Sequence, residues 1–425
     1  MSVPLALPIC GIGDGPSFGF GDRIGSATPG HVEAMRRCGE GVVPVFAQQS
    51  IREMTRTGRT PVEVMRDAID GMRRAGWTGR TGADADHLKT RDDVERTAAA
   101  GFALFTIDPS AQVDDAAADD AEPTLRRKFG ALPGELRAWF EARIGTRAEL
   151  DEGTVVEFGE EVCLRAAAKL GRAVAFAVDL GRHVVATCAA RGLEPELELS
   201  VDETETPTSL VEHWFAAERL RAAGLPLRCI APRFPGAFEK GVDHRGDRDK
   251  LLRALRGHAA VARALGGHKL SLHSGSDKLG VYAPLAAATE GRCHVKTAGT
   301  SYLEALRVAA RRDPALFAAI VGFARERYAA DRATYHLSAS LDDAPEPGAA
   351  GADALERSYL GDWSEVPDGQ GFTTPGRQIV HCTFGSVLGD PGLGPRLRAL
   401  LEAEDELHTE LLAEHFARHL RALRT

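Results

Sequence analysis

Gly82-Ala-Asp-Ala-Asp-His-Leu-Lys-Thr90 decides the fold. It is a short strand-like run that ends in an acid, an imidazole and an amine, and Thr90-Arg-Asp-Asp93 then opens a helix with a capping pattern. Reactive groups at the tip of a strand, with a helix following at once, are the signature of a (β/α)8 barrel, whose chemistry sits on the loops after the strands. The same arrangement recurs in Phe105-Thr-Ile-Asp108, Leu199-Ser-Val-Asp-Glu203, Leu270-Ser-Leu-His273 and Cys293-His-Val-Lys296.

Working outward, β-branched and apolar runs predict eight strands: Val43–Gln48, Ala83–Leu88, Ala103–Ile107, Glu196–Val201, Leu227–Ala231, Lys269–His273, Cys293–Thr297 and Thr334–Ser338. Helices alternate with them. Thr60-Pro-Val-Glu63 is a capping box with proline at the first helical position, and Ser209-Leu-Val-Glu212 opens another helix. The expected architecture is an α/β fold, a TIM-like (β/α)8 barrel forming one domain over residues 1–425. Residues 112–192 read as a mostly helical insertion after the third predicted strand, beginning with a disordered Asp114–Pro123. Residues 344–425 read as a C-terminal extension.

Strand alternation assigns the inward faces. Glu196, Glu198, Ser200 and Asp202 share one side of their strand; Lys269, Ser271 and His273 share another; His294 and Lys296 share a third. Polar groups inside a barrel must pair or bind a ligand. Ion pairing accounts for the deep positions Glu196, Glu198 and Lys269, and ligand binding for the strand tips.

Composition excludes several function classes. A net charge of −9, from 52 basic and 61 acidic residues, argues against a nucleic-acid surface. Seven cysteines without a C-x-x-C pair read as a reduced, cytoplasmic chain. The Val3–Ile9 run lacks a basic lead and carries proline, so no signal peptide is expected, and no run is long enough to span a membrane. The glycines of Gly11–Gly15 and Gly19–Gly25 lack the strand and helix of a dinucleotide loop and read as turns.

His87, His244, His273 and His294 are the notable imidazoles. Residue types alone leave two readings: ligands converging on a divalent transition metal, or satisfied barrel and surface histidines. Asp86, Asp108, Asp202 and Glu203 supply carboxylates for acid and base work. Asp86 and His87 can serve one site only if the strand has already turned at that point. Lys89, Arg233 and Lys296 could hold an anionic substrate.

These segments together resemble the tagaturonate epimerase family. The resemblance runs through Phe20-Gly-Asp-Arg-Ile-Gly25, Phe46-Ala-Gln-Gln-Ser50, Gly82–Thr90, Phe105–Ser110, Ser200–Thr204, Val242-Asp-His-Arg245, Ser271–Lys278, His294–Tyr302 and Ile379–Gly385. It implies interconversion of D-tagaturonate and D-fructuronate, a small keto-uronate pair, with a divalent cation (Mn, Ni, Zn, Co or Fe) as cofactor. His87, His244 and His273 are the implied ligands, Asp86 the implied proton acceptor and Glu203 the implied donor, although alternation favours Asp202 over Glu203. Gln49 joins Lys89, Arg233 and Lys296 as the expected substrate-holding set. A metal-dependent sugar-acid aldolase or another ketose epimerase would share these ligands, whereas a non-catalytic sugar-acid binder would not need the metal.

Overall fold

A computed structural model describes residues 9–424; of the Val3–Ile9 run, all but Ile9 lies outside the described residues. Eight parallel strands close into a barrel. They are β1 (Ser17–Gly21), β2 (Val43–Ser50), β3 (Gly82–Leu88), β4 (Leu104–Ile107), β5 (Glu196–Val201), β6 (Leu227–Pro232), β7 (Lys269–Leu272) and β8 (Cys293–Thr297). Each strand pairs with its neighbours in sequence, and β8 returns to β1 with His294 opposite Ser17.

Seven of the predicted strands are present. The eighth differs: Thr334–Ser338 is not a strand, and Ser17-Phe-Gly-Phe-Gly21 closes the barrel in its place. The glycines that read as turns are there because backbones crowd. A Cβ on Gly21 would lie 2.6 Å from Ala298 Cα, and one on Gly19 would press on the Gln48 side chain. Phe18 and Phe20 point outward and pack edge-on against Phe416 of the C-terminal helix Asp405–Arg424.

The capping boxes at Thr60, Thr90 and Ser209 all form. Between β4 and β5 lie the short helices Glu122–Gly130 and Gly134–Glu141, a hairpin of Arg147–Glu149 with Val155–Glu157, and the long helix Glu160–Ala189. The stretch expected to be disordered is instead a 3-10 turn, Asp115–Ala118, followed by the first of these helices. Lys128 bridges Asp114 and Asp120, and Arg165 donates to the carbonyls of Ala117 and Ala118, so the turn's polar groups are satisfied. A second apolar core joins Thr300–Arg312 and Pro314–Asp331 to the C-terminal helices.

Alternation assigned the interior correctly. Low in the barrel, Ile12, Val45, Leu104 and Cys229 make a small apolar plug. Glu196 accepts from the Ile12 N–H (2.6 Å) and from Arg228 Nε (2.7 Å), and Lys269 donates to Ser17 Oγ (2.7 Å). Above them the interior is ionic.

Not every histidine belongs to that interior. His213, His258 and His268 form a buried chain outside the barrel, with contacts of 2.9 and 2.8 Å, ending on the Thr208 carbonyl (3.1 Å). Burial lowers all three, His258 to about 4 and His268 to about 3. A base whose folded pKa is depressed costs nothing above its unfolded value of 6.5 and destabilises as pH falls below it. Between pH 6.5 and 4, His258 alone should remove about 3 kcal/mol. The urea midpoint is expected to drop steeply over that interval, and less steeply in His258→Gln.

Candidate active site

The strand tips enclose a cavity of about 270 Å³ at the carboxyl end of the barrel, walled by Asp86, His87, Asp202, Glu203, His273 and Lys296 among others. Its floor is Lys296, whose ammonium touches Asp84 Oδ2 (2.9 Å), Asp86 Oδ1 (2.8 Å), Glu198 Oε1 (2.8 Å) and Thr106 Oγ1 (2.7 Å). Burial alone would lower the Lys296 pKa; the three carboxylates raise it well above the ordinary lysine value. The reciprocal effect acts on Asp86. Burial would raise its carboxyl, but His87 and then Lys296 pull it down to about 2, so it stays ionised.

β3 turns at its last residues. His87 has φ 55°, in the left-handed region that bulky residues avoid. That single inversion breaks the alternation, so Asp86 and His87 both face the cavity. Strain of this kind, about 1–3 kcal/mol, persists only where surrounding contacts impose it. Here His87 Nδ1 is held by Asp108 Oδ2 at 3.1 Å.

The two cavity imidazoles are built alike. His87 is backed by Asp108, and His273 Nε2 by Glu198. His273 Nδ1 is buried without a hydrogen-bond partner and lies 3.2 Å from Asp202 Oδ1. The rings are 5.2 Å apart, and donor atoms of Asp86, His87 and His273 lie within 4.8 Å of one another. Burial would lower both imidazoles. Carboxylates win: chiefly Asp86 for His87, raised to about 9, and chiefly Asp202 for His273, raised to about 10.

His244 is not brought to this pair. Its Nε2 lies against the Pro235 carbonyl at 3.0 Å and its ring packs on Phe238, so it stands outside the donor group in the loop beside the cavity. His294 lies below the site, bonded through Nδ1 to Ser17 Oγ (2.9 Å).

Glu203 stands on the rim in an ion pair with Arg52 (3.0 Å), and it shares a second donor group with His87 and Asp108. Asp202 also lines the cavity, so alternation was informative about the wall. Arg233 lines it too, donating to the Asp202 carbonyl (3.3 Å). Lys89 is turned away to Asp108 and Ser110 (3.2 and 3.0 Å) and does not line the cavity.

Gln49 is likewise outside the wall, bonded to Glu53 at 3.0 Å, and Gln48 takes the inward position. The reason is a register shift in β2 between Val45 and Ala47, which reverses the alternation from there on. Both amide atoms of Gln48 are buried without partners.

Arg52, Lys240, Tyr335 and His336 also line the wall and were not singled out from sequence. Burial, and then repulsion from Arg52, lowers the Lys240 pKa, and its ammonium reaches Ser274 Oγ at 2.6 Å. A bound anion would relieve that penalty. One signal was available for Arg52, the second residue of the helix Ile51–Thr57 that follows the tip of β2 directly. Tyr335 and His336 come from Thr334–Ser338, the stretch expected to be the eighth strand.

Comparison with known proteins identifies the family. The family model described as tagaturonate epimerase matches residues 3–423. A tagaturonate/fructuronate epimerase of Thermotoga maritima is 40% identical over 404 residues, covering 95% of this chain and 80% of that protein. Crystal structures of the fructuronate-tagaturonate epimerase of Cohnella laeviribosi, native and with glycerol, superpose with a TM-score of 0.91 at 32% identity, covering 99% of this chain and 84% of theirs. With its polar barrel mouth and this similarity over nearly its whole length, the chain belongs to the tagaturonate epimerase family of carbohydrate isomerases.

Proposed function

We propose that this chain interconverts D-tagaturonate and D-fructuronate by a metal-assisted retro-aldol route. The observation that carries the reading is the pair His87 and His273, each backed by a carboxylate and set between Asp86 and Glu203 in one cavity. A buried imidazole nitrogen that faces a carboxylate oxygen at 3.2 Å, beside a second imidazole and a second carboxylate, fits a divalent transition cation. Asp108 and Glu198 then play the outer role of fixing ring orientation and basicity. His87 and His273 would hold the cation with Asp86 beside them. Bound there, it supplies Lewis-acid stabilisation of negative charge on substrate oxygen.

The rest of the chemistry falls to the chain's own residues. Carbon 4, where the two sugars differ, is adjacent to neither the ketone nor the carboxylate, so abstraction of an activated carbon-bound proton cannot invert it. In a retro-aldol step the Asp86 carboxylate takes the carbon 4 hydroxyl proton, and the bond between carbons 3 and 4 breaks onto the carbon 2 ketone. The aldehyde fragment keeps the carboxylate, which Arg233 and Lys240 are placed to hold while the aldehyde presents its other face. The bond re-forms, and Glu203, entering the step protonated, delivers its proton to the carbon 4 oxygen; exchange with solvent then returns Asp86 to the carboxylate and Glu203 to the acid.

Metal-depleted protein resupplied with manganese, nickel or zinc and given D-tagaturonate is expected to yield D-fructuronate, followed by NMR. In D2O no deuterium should enter carbon 4. Deuterium there would replace the retro-aldol route with direct proton transfer, and accumulation of the fragments would favour an aldolase.

Cation binding should also report the imidazoles. With pKa values raised to about 9 and about 10, both rings carry protons at neutral pH when no cation is present, and the cation must displace them. Affinity is therefore expected to rise from pH 7 to 9 and to level off above about 10, read by calorimetric titration in buffers of different ionisation heat. Its retention in His244→Ala would agree with the donor set above; loss would bring His244 back as a ligand.

A further inference from the structure

A second convergence of metal-type donors lies behind the turn that follows β7. His415 and His419 stand four residues apart on the C-terminal helix, so both imidazoles leave one face. Asp277 meets them from the turn 274–278 with φ 61°. One donor atom from each of the three lies within 4.8 Å of the others. Asp277 Oδ1 is 3.4 Å from His415 Nε2 and 4.0 Å from His419 Nε2. Ligands at about 2.0 Å from a tetrahedral cation stand about 3.3 Å apart, close to the shorter of these separations.

The far sides of His419 and Asp277 are hydrogen-bonded and that of His415 faces a carboxylate, an outer arrangement that suits metal ligands. His415 Nδ1 lies 3.1 Å from Glu304 Oε1, and Glu304 is in turn held by Arg307 at 2.8 Å. His419 Nδ1 donates to the His415 carbonyl at 3.1 Å, which leaves the lone pair on Nε2. Asp277 Oδ2 accepts from Arg377 Nη2 at 2.8 Å. The near atoms Asp277 Oδ1 and His415 Nε2 are fully buried and make no hydrogen bond. One contact competes: the Asp277 N–H donates to His419 Nε2 at 3.2 Å, and a cation would take over that lone pair.

We infer that Asp277, His415 and His419 form a structural site for a divalent transition cation, one that ties the turn behind His273 to the C-terminal helix. Two imidazoles and a carboxylate suit zinc or cobalt, with a water in the fourth place. His415 also lines a second cavity, of about 380 Å³, beside Trp363 and Arg418, which provides an entry path. The site is independent of the one at the barrel mouth, and so is its test.

The metal-free alternative is a His415 ring that simply bridges Glu304 and Asp277 through its two nitrogens. To separate the two, the full-length His87→Gln/His273→Gln variant, chelated and dialysed against zinc, should retain one zinc per chain by elemental analysis. Adding His419→Gln should abolish it. With cobalt, the first variant should show the visible bands of a tetrahedral site and unfold at a higher temperature than in chelator. A natively folded first variant that holds no zinc overturns the inference. Should that variant fail to fold, the single His419→Gln decides: it should lose one zinc relative to the parent chain, and an unchanged count overturns the site.

Discussion

Asp86→Asn is expected to lower turnover of D-tagaturonate by about 10²–10⁴-fold, the range for removing a positioned general base. The amide is nearly the same size as the carboxylate but cannot accept the proton. Lys296, Asp84 and Glu198 remain paired beneath it, so the fold should persist. The discriminating measurement is cation content alongside kcat. His87 and His273 stay in place, and retained metal with lost turnover assigns Asp86 to proton transfer. Loss of metal and turnover together would make Asp86 a ligand instead. A variant with ordinary activity would remove it from the mechanism.

Lys296→Met should cost more than activity. The ammonium is the shared counter-charge for three buried carboxylates, and deleting one partner of a buried ionic cluster typically destabilises by about 3–5 kcal/mol. The carboxylates left behind must take up protons. Asp86 then loses one of the charges that lower its pKa and the hydrogen bond that fixes its carboxylate, with His87 and His273 left to hold it ionised. The expected result is a lower urea midpoint and negligible turnover at neutral pH. Raising the pH should enlarge the stability deficit, since deprotonating the crowded carboxylates restores their repulsion. A variant as stable as the parent would mean that the interior charge is compensated elsewhere.

Most of this site could be read from the sequence, because alternation is a rule of backbone geometry. Glu198, Asp202, His273 and Lys296 were found that way, as inward positions on their strands. The rule failed where the backbone departs from it. At β2 a register shift turns Gln48 inward, whereas the family resemblance had implied Gln49. At His87 the inversion put consecutive residues on one side, which alternation alone forbids. β1 was missed because a strand made of glycine and phenylalanine carries no β-branched residue, and its glycines answer to neighbours distant in sequence. His244 shows the remaining limit. Its place in a loop motif gave no information about which way the ring turns, and here it turns to a carbonyl.

The seam between β1 and β8 has a consequence for how the chain is made. Ser17 finds its partner His294 only 277 positions later in the chain, and Phe18 and Phe20 wait longer still for Phe416. At ribosomal rates of about 5–20 residues per second, that is an exposure of about 14 s at the least. During synthesis the first strand has an open edge and two uncovered aromatic rings. The nascent chain is thus a natural client for holding chaperones, and its yield in a cell should depend on them well before any question of catalysis arises.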